Sequence, residues 1–75
     1  MSMTTVQLRE KLWNVKPVSY GHFQVTFTHR GKKYSAVTTN TQAIDAINGG
    51  DYSSYTEKEA LQALRNEVLI ANNLI

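Results

Sequence analysis

The stretch "VSYGHFQVTFTHRGKKYSAVTT", residues 18 to 39, decides the fold. On either side of "RG" the residues alternate with period two and are rich in β-branched and aromatic types, so both halves predict strands. Arg30-Gly31 suits a two-residue hairpin turn, with Gly31 supplying the positive φ that primed turns need. In that register Phe27 faces Tyr34, Val25 faces Ala36 and Phe23 faces Thr38. Phe23, Val25, Phe27, Tyr34 and Ala36 then share one face, whereas a one-residue slip sets Phe27 against Ser35 and scatters them. The other face shows Val18, Tyr20, His22, Gln24, Thr26, Ser35, Val37 and Thr39. It is polar about Thr26 and apolar near Val18, Tyr20 and Val37.

Upstream, "TTVQLREKLWNVKP" predicts a helix capped by Thr4 or Thr5. Leu8, Leu12 and Val15 fall at i, i+4 and i+7, and Pro17 ends the helix near Lys16. Trp13 lies beside that stripe. Downstream, "TTNTQAIDAINGG" predicts a short helix. Thr39 with Gln42 is a capping-box pair, Thr41 is a rival cap, and Gly49 closes the helix. Thr56 with Glu59 is a second capping box, opening a longer helix with Leu61, Leu64, Val68 and Ala71 buried and Leu69 and Ile70 beside them.

These elements give an α+β fold ordered α-β-β-α-α, a two-stranded antiparallel hairpin packed on one face by three helices. The expected core is Leu8, Leu12, Trp13, Phe23, Val25, Phe27, Tyr34, Ile44, Ile47, Leu61, Leu64 and Val68. With 75 residues there is room for one small domain, residues 1–75. A core of that size is marginal, and the absence of cysteine removes disulfides as a support. A bare ribbon also has two unpaired edges. Both facts point to a homo-oligomer, a dimer sharing a sheet or meeting through helices.

Net charge is +2 and the sequence pI is near 9.1, but the charge is unevenly placed. Residues 1–40 hold Arg9, Lys11, Lys16, Arg30, Lys32 and Lys33 against Glu10 alone. The remainder holds Lys58 and Arg65 against five acids. No apolar run approaches a membrane span, and "MSMTTVQL" lacks the form of a signal peptide. The expected location is cytoplasmic, the host's cytoplasm if phage-encoded, with no membrane partner.

Chemistry has little to work with. His22 and His29 stand seven apart along a strand and turn, without the convergent ligands zinc needs, and His22 has no orienting carboxylate. Gly49-Gly50-Asp51 is too short for a phosphate loop. The expectation is therefore no enzyme, no metal and no cofactor. The binding candidate is the basic tip. His29, Arg30, Lys32 and Lys33 crowd three fixed positive charges and a titratable one into five residues, and a narrow ribbon with such a tip can lie along phosphates. Lys16, Arg9 and Tyr20 extend the patch if the first helix packs nearby. The plainer reading is that charged tips keep strands soluble and block edge pairing. A protein interface is expected at Val18, Tyr20, Val37 and the polar aromatic loop holding Tyr52 and Tyr55. Tyr55 has an alternative role, stapling onto Ala60 or Ile47.

"YGHFQVTFTHRGKKYSAVTTNTQAID" with the later "YTEKEALQALRNEVLIANNL" resembles a group of very small proteins, of no assigned activity, from phages and mobile elements of gut bacteria. Shared elements are a "GH(F/Y)xVT" strand, an "RGK" turn, a "TTxTxAID" helix start and a terminal asparagine pair. The resemblance spans residues 18 to 74 and implies a phage or mobile-element accessory protein that binds something. Two roles are compatible with it: nucleic-acid contact through the basic tip, or a homo-oligomeric protein–protein module that inhibits a host (defence) protein.

Overall fold

The computed structural model describes residues 4–49 and 54–75. The order is α1 (Thr5–Lys11), β1 (Leu12–Ser19), β2 (His22–His29), β3 (Lys32–Thr38), α2 (Thr41–Ile47) and α3 (Glu57–Ala71). The sheet has three antiparallel strands ordered β1-β2-β3, so the expected two-stranded hairpin and α-β-β-α-α order are corrected to α-β-β-β-α-α. The α+β class stands.

The β2–β3 hairpin has the expected register, with Phe27 opposite Tyr34, Val25 opposite Ala36 and Phe23 opposite Thr38. Arg30 (φ 52°) and Gly31 (φ 78°) both take positive φ, as a type I′ turn requires. Arginine is a poor occupant of that first position, because its Cβ crowds the following carbonyl and, unlike asparagine, it has no short polar side chain to bond the local backbone in compensation. Arg30→Asn should therefore raise stability by about 0.5–1 kcal/mol. A urea midpoint that falls would refute this account of the turn.

The first helix is shorter than its periodicity suggested. Thr4 caps α1 through a reciprocal box with Gln7, but the chain leaves the helix at Leu12 and becomes β1. Two properties favour this. Lys16, preceding Pro17, is disfavoured from helical geometry. A third strand also covers the otherwise bare edge of β2. Leu12 pairs with Phe27 and Val15 with Val25, while the register shifts between Leu12 and Asn14, making Trp13 the extra residue of a bulge. The side chain of Trp13 lies outside what the structure describes. A second shift, between Pro17 and Ser19, precedes the Tyr20-Gly21 turn, where Gly21 has φ 72°.

Reading across the sheet gives apolar rows on one face, Leu12·Phe27·Tyr34 and Val15·Val25·Ala36. Against this face pack Leu8 of α1, Ile44 of α2, and Ala60, Leu61, Leu64 and Val68 of α3, all buried. Leu12, Phe23, Tyr34 and Ile47 border the cluster, whereas Ile70 and Ala71 of the expected stripe are exposed.

Helix ends are held by side chains. Asn40, not Thr39 or Thr41, caps α2, its Oδ1 accepting from the Ala43 N–H at 3.2 Å. Thr39 loses the role because Thr38 Oγ1 already accepts the Asn40 N–H at 3.0 Å, fixing the entry to the helix. Gly49 (φ 79°) follows the end of α2 as expected. Thr56 and Glu59 form the expected box at α3, and its hydrogen bonds from Thr56 hold the Glu59 carboxyl below the usual carboxylate range. At the far end Asn73 (φ 59°) sits in the left-handed region, with Leu74 N–H donating to Leu69 O and Asn73 N–H to Ile70 O, a Schellman closure.

Both sheet edges are blunted. β1 carries Pro17 and two irregularities. On β3 the Ser35 carbonyl is taken by Asn72 Nδ2 at 3.0 Å, and the same amide donates to Val68 O at 2.8 Å.

Candidate nucleic-acid interface

Because the described helices pack on one face, the other face of the sheet is open among the described residues. Its rows are Thr28·Lys33, then Asn14·Thr26·Ser35, then Lys16·Gln24·Val37, with His22 beyond. Asn14, Lys16, Gln24, Thr26 and Lys33 together line a shallow trough of about 170 Å³. Lys16 thus reaches the candidate site through a strand rather than through the first helix.

The tip adds to the face at one end. Arg30 occupies the turn, and Lys32 and Lys33 open β3 opposite His29 and Thr28. Arg30, Lys32 and Lys33 are all exposed. His29 has a structural task, its ring standing edge-on to Tyr34 at 6.4 Å and 61° at the rim of the core. Arg9 is not brought to the patch. It pairs with Glu57 at the start of α3, in the helix layer.

Segregation of charge is the main electrostatic feature. Residues 12–40 contain Lys16, Arg30, Lys32 and Lys33 and no Asp or Glu. Every described acid is helical, with Glu10 on α1, Asp45 on α2, and Glu57, Glu59 and Glu67 on α3. Glu10 comes nearest, lining with Gln7, Lys11 and Thr28 an open depression of about 390 Å³, where Lys11 offsets it. A sheet with only positive fixed charge, backed by a layer richer in acids, makes the molecule electrostatically two-sided.

Of the expected protein-contact residues, Val18, Tyr20 and Val37 are exposed, Tyr20 completely. Tyr55 is half-buried against the core and its hydroxyl accepts from Asn40 Nδ2 at 3.3 Å, so it belongs to the helix layer. Tyr52 lies outside the described residues. Asn14, Gln24 and Thr26 complete the trough and were not anticipated as a group. Their union depends on β1, which a helical reading of residues 4–16 hides.

Among the described residues no three His, Asp or Glu side chains gather as a metal site, and no helix is long and apolar enough to cross a membrane. Comparison with protein-family models, with curated proteins and with solved structures gave no match.

Proposed function

We propose that this chain is a non-catalytic binding module, an accessory protein of the phage or mobile-element kind, that contacts nucleic acid through its hairpin tip and open sheet face. The observation that carries the reading is the charge of that face and tip: Lys16 and Lys33 on the face, Arg30 and Lys32 at the tip, with no acid between residues 12 and 40. Each such cation can neutralise a phosphate and release its counterion. The turn adds support. Arg30 occupies a left-handed position where asparagine or glycine is more stable, and a broken local rule of this kind is expected where a side chain serves binding.

A labelled mixed-sequence DNA and an RNA, titrated at low and moderate salt with the wild type and with Arg30→Glu/Lys32→Glu/Lys33→Glu, test this. Four phosphate contacts predict an affinity loss of roughly 50- to 150-fold between 50 and 200 mM salt for the wild type. The triple variant should show no measurable binding. A wild type that binds neither polymer at 50 mM salt, or binds without regard to salt and charge reversal, would overturn the proposal.

The second reading is a homo-oligomeric protein–protein module or an inhibitor of a host (defence) protein. It is favoured by the exposed Val18, Tyr20 and Val37 at the end of the sheet away from the tip. Pro17 and Asn72 at the two edges weigh against a shared-sheet dimer, so such an oligomer would meet through its faces. An apolar interface of that kind persists as salt rises, which separates it from phosphate binding.

A further inference from the structure

We infer that the open face takes a single-stranded polynucleotide, with one base stacked on Tyr20 and the backbone running over Lys16 and Lys33 to the tip. The inference rests on the nucleic-acid reading above and deepens it by naming the strandedness.

Tyr20 is the most exposed of the large hydrophobic side chains described, at 102% of its reference surface. Its backbone is nonetheless held, because His22 Nδ1 lies 2.8 Å from the Tyr20 carbonyl oxygen and Gly21 takes the turn's positive φ. With the backbone of the turn already fixed, stacking a base on the ring has only the side chain to order. His22 lies at the same end of the face, and Val18 and Val37 are exposed near it, an apolar margin for a base and its sugar.

Beyond this aromatic end, the face continues without interruption toward positive charge. Lys16 lies in the row next to His22, Lys33 two rows further, and Arg30 closes the path at the turn, with Lys32 opposite His29 on the other side of the ribbon. Along β2 from His22 to His29 the distance is about 23 Å, long enough for several nucleotides. Between the cations, Asn14, Gln24, Thr26 and Ser35 offer donors and acceptors to base edges. A duplex hides the π-faces of its bases, so Tyr20 would contribute nothing to it. A single strand exposes both its bases and its phosphates, and the face has partners for each.

The test is fluorescence anisotropy with a labelled twelve-nucleotide single strand and the matching duplex. The proteins are the wild type, Tyr20→Ala, Tyr20→Phe and the triple tip variant, each checked for native circular dichroism. Tyr20→Ala should weaken single-strand binding by about 5- to 150-fold, with the salt slope unchanged, while Tyr20→Phe stays near the wild type. The wild type should prefer the single strand. If Tyr20→Ala binds the single strand as well as the wild type while the tip variant fails, the stacking inference is lost and the electrostatic reading survives. A preference for the duplex would also overturn it. If the wild type binds neither oligonucleotide, both readings fall; a dimer dissociated by Tyr20→Ala would then assign the face to protein.

Discussion

Phe27→Ala should lower stability by about 3–5 kcal/mol, the usual range for emptying a buried phenylalanine site. Phe27 is 1% exposed and occupies the middle of a row, with Leu12 of β1 on one side and Tyr34 of β3 on the other. It belongs to the same buried cluster as Leu8, Leu61 and Leu64, so all three strands and the helix layer lose contacts together. A chain of this length has a total stability of roughly 4–11 kcal/mol, so the variant should lose from about a quarter to all of it. Val37→Ala is the control. Val37 is 57% exposed on the open face, and its truncation should change stability by less than about 0.5 kcal/mol. Urea unfolding followed by circular dichroism measures both. Equal midpoints for the two variants would mean that the core does not lie on the Phe27 face.

The row through Phe27 also explains what the sequence hides. Leu8, Leu12 and Val15 are spaced four and three apart, which is the period of a helix. Only the first interval is helical. The second spans a bulge, where the extra residue Trp13 lets Leu12 and Val15 face the core three positions apart on a strand. A strand interrupted in this way carries a helical period, and local pattern alone does not separate the two. The Tyr20-Gly21 turn is masked similarly, because Val18, Tyr20 and His22 continue the alternation of β2 straight through it. Where the signals are local and redundant, they are readable. The Thr56–Glu59 box opens α3, and the apolar alternation on both sides of Arg30-Gly31 leaves one register that buries a coherent face. The candidate site divides along the same line. Arg30, Lys32 and Lys33 adjoin one another in the chain and are visible as a cluster. Lys16 joins the open face only because β1 exists, and Arg9 leaves the patch for Glu57, a partner far along the chain.

Long-range pairing is also the basis of the second large effect expected. Thr38→Val should cost about 2–3 kcal/mol although the two side chains have nearly the same shape. Thr38 is 2% exposed, and its hydroxyl donates to Glu67 Oε2 at 2.7 Å while accepting the Asn40 N–H at 3.0 Å. Asn40 in turn caps α2 and donates to the Tyr55 hydroxyl. One hydroxyl therefore joins the end of β3 to α2, α3 and the segment preceding α3. Valine leaves the Glu67 carboxylate and the Asn40 amide each short of a partner, and hydrogen bonds to charged groups are the more costly ones to lose. Thr38→Ser retains the hydroxyl and should cost about 1 kcal/mol, the value of one methyl group. Urea midpoints for the two variants decide the matter, and a valine variant as stable as the serine one would sink the network. The same pair separates stability from binding. Thr38 points into the helix layer in the row of Phe23, whereas its neighbour Val37 points to the open face in the row of Lys16. Loss of the hydroxyl should therefore lower the unfolding free energy while leaving the oligonucleotide affinity of the folded molecules within about twofold of the wild type, because sites without shared partners behave nearly additively.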